Sequence, residues 1–191
     1  MNPLKIIVGF IPFLVFTLLS AWVPVGWSAA IALAAAIVVV IVTARGGMKI
    51  LPLVQSVILL VIMVLGFVGG SAVDSFLSEY ARGGASVVLG LFILTTALFA
   101  PFTAQFARGS VPREFWHSKP FIELNRRMSA AWGAAILVVG ICRIVSAVPG
   151  AGVTPLLSFI VQWGIPIAAI YVAFSFTKRV ATAAAERTSL S

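Results

Sequence analysis

Apolar runs long enough to cross a bilayer recur along almost the whole chain, and this constrains the fold more than any other feature of the sequence. Crossing the hydrocarbon layer takes about 20 consecutive apolar residues as a helix. Dividing the sequence at its charges and turn residues gives six such runs: Ile6 to Trp22, Trp27 to Val42, Ile50 to Gly70, Ala85 to Gln105, Met128 to Val148 and Pro155 to Thr177. Of the 191 residues, 61% are hydrophobic and 9% charged, whereas soluble domains carry roughly a quarter charged residues. The expected fold class is therefore all-α, a polytopic transmembrane helix bundle of about six spans. Residues 1–180 form its single domain, and 181–191 form a short disordered tail.

The cations set the orientation. Lys5, Arg45, Lys49, Arg108, Arg113, Lys119, Arg126, Arg127, Lys178, Arg179 and Arg187 all fall on one side of a six-span arrangement. Lysine and arginine accumulate beside spans on the cytoplasmic side, so both termini are expected there. Five spans would split the basic clusters between the two faces, which ranks that alternative second. The net charge of +8 is accounted for in this way, and nucleic acid is set aside as a partner. The first apolar run superficially looks like a signal peptide, but Trp22, Pro24 and Trp27 stand where a small-residue cleavage site belongs. It is read as a retained span, joined to the second by Val23-Pro24-Val25-Gly26 in a tight hairpin, with Trp22 and Trp27 at the interface.

Two connections carry pattern of their own. Between Ser71 and Arg82, Val73, Phe76, Leu77 and Tyr80 recur at helical spacing. Ser71 with Asp74 resembles a capping box, and Gly83-Gly84 resembles a stop. A short helix on the outer membrane surface is expected, with a plain loop as the alternative. The connection from Arg108 to Arg127 is the longest polar stretch and holds the single histidine, His117. Ser110 before Pro112 and Ser118 before Pro120 each read as a helix start. The second start runs on into the fifth span, with Phe121, Asn125, Met128 and Trp132 on one stripe.

Residues able to do chemistry are few. One histidine and one cysteine, Cys142, permit neither a bis-histidine haem nor a thiolate cluster within the chain. No acidic residue stands inside an expected span, which disfavours a conventional proton-driven carrier. No catalytic residues, metal or cofactor are expected, and the chain is read as non-enzymatic. Arg143 is the one intramembrane charge and a functional suspect for that reason. It is read either as a snorkelling or ion-paired arginine, with Asp74 preferred over Glu79 as partner, or as an anion or lipid-headgroup site at the outer face. Gly66 with Gly70, and Gly133 with Gly140, allow close helix approach, for internal packing or for an oligomer contact. Gln162, Trp163, Gly164 and Pro166 should kink the sixth span. With Thr95, Gln162 and Gly164 mark a possible pathway, and Thr96 is a further polar neighbour.

The segment Phe10-Ile11-Pro12-Phe13-Leu14-Val15-Phe16, and the series from Trp116 through Phe121, Asn125 and Arg126 to Trp132-Gly133, resemble the intracellular septation protein A group of small bacterial inner-membrane proteins and its uncharacterised relatives. The resemblance implies a cytoplasmic-membrane protein connected with envelope synthesis or septation, acting through protein partners. It supplies no catalytic residues. Six spans, against the five usually drawn for that group, point to its looser relatives.

The leading expectation is a membrane scaffold or accessory subunit, in contact with other membrane proteins or lipid through Arg108, Arg113, Trp116, His117, Phe121, Asn125, Arg126 and Arg127. The alternative is a small channel or transporter for an ion, lipid or apolar solute. A cavity bordered by Gln162, Thr95 and Arg143 would favour transport, and a filled interior would favour the scaffold.

Overall fold

The computed structural model describes residues 4–44, 47, 49–148 and 154–189, with the side chains of 4–6, 110 and 184–189 excepted. Arg45, used above for orientation, lies outside the described residues, as do the side chains of Lys5 and Arg187. All regular structure among the described residues is helical: α1 (Leu4–Leu19), α2 (Val25–Ala44), α3 (Ile50–Val68), α4 (Gly70–Ala97), α5 (Phe102–Ala107), α6 (Lys119–Ala147), α7 (Pro155–Phe159) and α8 (Ile165–Ser189). A π-helical turn, Ile160–Gly164, joins α7 to α8. Five helices are long and apolar enough to cross a membrane, α7 to α8 counting as one, and α1 is a shorter apolar helix beside them. The chain is an all-α polytopic membrane bundle.

Small residues set how the helices pair. On α2, Ala29, Ala32 and Ala36 are fully buried, a flat stripe that lets α3 approach. A Cβ on Gly66 would stand 2.8 Å from the Gly26 Cα, so these two glycines are where the backbones of α2 and α3 meet. The pattern of Gly66 and Gly70 therefore divides. Gly70, at φ +69°, serves the corner between α3 and α4 rather than a helix contact, since a Cβ there would meet no atom of the described residues within 4 Å.

The expected surface helix does not exist as a separate element. Residues 71–82 are the opening turns of α4, a continuous helix of 28 residues, about 42 Å at 1.5 Å per residue against a hydrocarbon core of ~30 Å. Its polar turns extend the span. No capping box forms at Ser71, because the helix starts at Gly70 with Gly69 as N-cap and no side-chain cap. Nor do Gly83 and Gly84 stop it, since neither takes the left-handed φ that a glycine stop requires. Gly83 instead allows close contact with α6, where an added Cβ would lie 3.1 Å from the Gly140 carbonyl oxygen. Gly90 meets the Leu137 backbone, Gly140 meets the Val87 amide, and Gly133 meets Ile93 and Leu94. The α4–α6 seam is the most extensive helix interface, and it uses Gly133 and Gly140 for internal packing.

The fourth span is also shorter at its far end than expected. Pro101 cannot continue a helix, so α4 ends at Ala97 and α5 begins at Phe102. This short helix is buried and pinned. The Thr103 hydroxyl donates to the Asn125 carbonyl at 2.8 Å, the Ser129 hydroxyl accepts from the Thr103 amide at 3.2 Å, and the two hydroxyls lie 2.9 Å apart. Gln105 fixes the start of α3, its Oε1 accepting from the Ile50 amide at 2.8 Å while its carbonyl accepts from Lys49. Helix α6 starts as the Ser118-Lys119-Pro120 pattern predicts. Ser118 is the N-cap and accepts from the Phe121 amide, and Asn125, Met128 and Trp132 are buried along the expected stripe. The Ser110–Pro112 pattern yields only the 3₁₀ turn Arg113–Phe115.

In the sixth span, the expected kink takes the form of the π turn. Pro166 has no amide proton for the Gln162 carbonyl, and one wider turn absorbs the missing bond. Beyond it, residues 181–189, expected to be disordered, continue α8 as helix. Four alanines among five residues from Ala181 to Ala185 give this stretch the highest intrinsic helix propensity.

Candidate functional site

Two cavities adjoin at the end of the bundle opposite the basic loops. The first is a polar chamber of about 490 Å³. Helix α4 contributes Ser75, Ser78, Glu79 and Arg82, α6 contributes Arg143 and Ser146, and the π turn contributes Gln162. At 100° per residue, Ser75, Ser78, Glu79 and Arg82 share one side of α4, so the uninterrupted helix is what aims them together. The serine protons are engaged by the backbone one turn earlier, Ser75 to Ser71, Ser78 to Ser75 and Ser146 to Cys142, at 2.8 to 2.9 Å. Their oxygens remain as acceptors.

Arg143 is half-buried, with its guanidinium 5.7 Å from the centre of the Trp163 ring. The expected pairing with Asp74 does not form, and the one ion pair among the described residues joins Arg127 to Glu123 at 2.9 Å. Asp74 sits about 100° round α4 from Ser75, off the side that faces the chamber. Glu79 lines the chamber instead. The charged side chains of this space are therefore two guanidiniums and one carboxylate, none in contact as an ion pair.

The second cavity is an apolar groove of about 550 Å³ between α1, α6 and α8. Phe10, Phe13 and Leu14 line one side, Ile136 and Val139 another, and Ile167, Ile170 and Tyr171 the third. Arg143 and Gln162 border both cavities. The groove runs down α6 from Arg143 to Trp132, which is about 16 Å of helix rise, or about half the hydrocarbon thickness. Trp132 marks its lower end. This ring is almost fully buried, stacks on Phe10 at 5.4 Å between centroids, and donates from Nε1 to the Thr177 hydroxyl at 3.0 Å. Phe10 in turn meets Phe102 edge-on at 6.0 Å. Aromatic packing thus closes the bundle below the groove.

The remaining candidate residues are distributed differently. Gln162, in the π turn, donates back to the Ser158 hydroxyl of α7 at 2.7 Å, and Gly164 belongs to the same turn as Gln162. Thr95 borders neither cavity; its hydroxyl donates to the Leu91 carbonyl of its own helix at 2.8 Å, the usual resting place of a helical threonine. Of the basic-loop residues, Arg108, Arg113, His117 and Arg127 are exposed. Trp116 is half-buried, held by Nε1 donating to the Val111 carbonyl at 2.9 Å, with Arg108 and Arg113 at 5.3 and 5.7 Å from its ring. Phe121 is half-buried. Asn125 is not available to a partner, because it is buried and its Nδ2 donates to the Phe121 carbonyl at 2.8 Å. Arg126 is likewise engaged, donating to the Leu98 carbonyl at the end of α4 at 2.6 Å.

Sequence reasoning reached Arg143, Gln162 and Glu79 but missed Arg82, Ser75 and Ser78, which it assigned to a connection. The signal was present as a polar stripe at i, i+3, i+4 and i+7, beside the apolar one that was read. No family model, curated protein or solved structure matches the chain. Architecture and site geometry are what characterise it: an all-α membrane protein with a cationic chamber opening onto an apolar, half-membrane-deep groove.

Proposed function

We propose that this protein binds an amphipathic lipid, with the head in the polar chamber and a chain in the apolar groove. The observation that carries the reading is that Arg143 and Gln162 border both spaces. Cationic and hydrogen-bonding groups therefore stand where a head would join its tail. Both volumes fall in the range of roughly 300–1,000 Å³ typical of small-molecule sites. A groove about half the membrane deep, ended by Trp132, suits one leaflet's lipid better than a continuous ion path. By the distribution of cations, the basic end is cytoplasmic and the chamber faces the outer leaflet; a bacterial cytoplasmic membrane is what the septation-group resemblance implies. Lipid handling of this kind needs no catalytic residue.

The test is lipid retention. Wild-type protein extracted in mild detergent should keep about one lipid per chain in native mass spectra, and Arg143→Leu should reduce that occupancy about tenfold, the weight of one charge-assisted contact. Leucine keeps the span apolar, so the variant inserts. Equal occupancy in the two proteins would refute the assignment.

A second reading, a scaffold or accessory subunit of the membrane or envelope, draws support from the exposed Arg108 and Arg113 flanking Trp116. Arginine and tryptophan together are the residues most enriched at binding hot spots. This reading also accommodates the septation-group resemblance and its protein partners. A stoichiometric co-purifying protein that is lost when Trp116 and Phe121 become alanine would establish it.

A further inference from the structure

The charges of the chamber restrict the head further than "anionic". Arg82 and Arg143 supply two positive charges and Glu79 one negative, leaving a surplus of one. Glu79 is exposed on α4 and forms no ion pair with any of the described residues, so its charge is presented to the chamber rather than consumed by one of these neighbours. Together with the Ser75, Ser78 and Ser146 oxygens, whose protons point into the backbone, it makes part of the wall an acceptor surface. That surface repels excess negative charge and suits hydroxyl or ammonium donors on a head.

We infer that the chamber selects a lipid phosphodiester, with one negative charge on its phosphate, and that Glu79 is the specificity-determining residue that discriminates against a phosphomonoester. A phosphodiester between Arg82 and Arg143 brings the chamber to neutrality. A phosphomonoester carries roughly 1.5 to 2 negative charges at pH 7, and its excess charge faces the Glu79 carboxylate. This rests on the lipid reading above and deepens it.

The experiment offers the purified protein an equimolar mixture of phosphatidylglycerol and phosphatidic acid with identical acyl chains. Bound species are counted by native mass spectrometry at pH 7.5. Wild type should favour phosphatidylglycerol about tenfold, and Glu79→Gln should erase or reverse that preference while still binding lipid. A wild-type preference for phosphatidic acid, or a ratio unchanged by Glu79→Gln, would overturn the selectivity inference and leave lipid binding standing. Failure of both lipids to bind wild type would instead sink the underlying reading. A third arm adds millimolar glycerophosphoglycerol, the same head without chains. Displacement of bound lipid by this solute would show a site for free phosphodiesters and overturn the lipid assignment; no displacement is expected, because the groove contributes most of the buried contact.

Discussion

Gly140→Leu should destabilise the protein by more than ~3 kcal/mol, at or beyond the upper end for overpacked sites, and Gly84→Leu, next in sequence to Gly83 but about 100° round the helix from it, should change stability by less than ~0.5 kcal/mol. The contrast follows from what each Cβ would meet. At Gly140 it would stand 2.7 Å from the Val87 amide nitrogen and 2.9 Å from the Gly83 carbonyl oxygen. Both are backbone atoms, which cannot rotate aside, so α4 and α6 must separate along the largest interface of the bundle. At Gly84 an added Cβ would meet no atom of the described residues within 4 Å. Thermal or steric-trap unfolding of the two variants in bicelles measures the difference. Equal stabilities would mean that α4 and α6 do not pack through this seam.

Trp132→Ala carries the second large effect, about 3–5 kcal/mol for truncating a buried aromatic. Three elements depend on this ring at once: α1 through the stack on Phe10, α5 through Phe10 and Phe102, and α8 through Thr177. Thr177→Val keeps the side-chain volume and removes the acceptor of the indole hydrogen bond, so it should cost about 1–3 kcal/mol. The ratio of the two losses, read from the same unfolding assay, separates packing from hydrogen bonding. A loss below ~1 kcal/mol for the alanine variant would show that this layer does not hold the bundle together.

The all-α class and the approximate spans were legible because long apolar runs have few alternatives in a chain this poor in charge; of the six expected spans, five are helices long enough to cross a membrane and the first is shorter. The places where reading stopped share a physical cause. Gly83 and Gly84 read locally as a helix stop, yet a glycine that ends a helix and a glycine that admits a neighbouring backbone are the same residue until the neighbour is known. Gly140, 57 positions later, decides between them. Misplacing that boundary turned Arg82 into a loop cation and hid its stripe with Ser75 and Ser78. Asp74 was preferred to Glu79 for its position along the chain, but rotation about the helix axis determines which carboxylate faces Arg143. Asn125 was assigned to a contact surface although it shares a stripe with Met128 and Trp132, and the structure buries all three. The Pro166 break was legible, because a missing amide proton needs no partner to be known.

The π turn has a consequence for spacing. An α-helix advances 100° per residue, and the turn from Ile160 to Gly164 accommodates one residue more than α-helical winding would. Everything after it is set back by that angle relative to α7. Thr177 meets Trp132 only from the resulting orientation, and Ile167, Ile170 and Tyr171 line the groove for the same reason. In reading frame terms, α7 and α8 are out of phase by one residue, so sequences built on this bundle are expected to keep either that extra residue or a different set of groove-facing side chains.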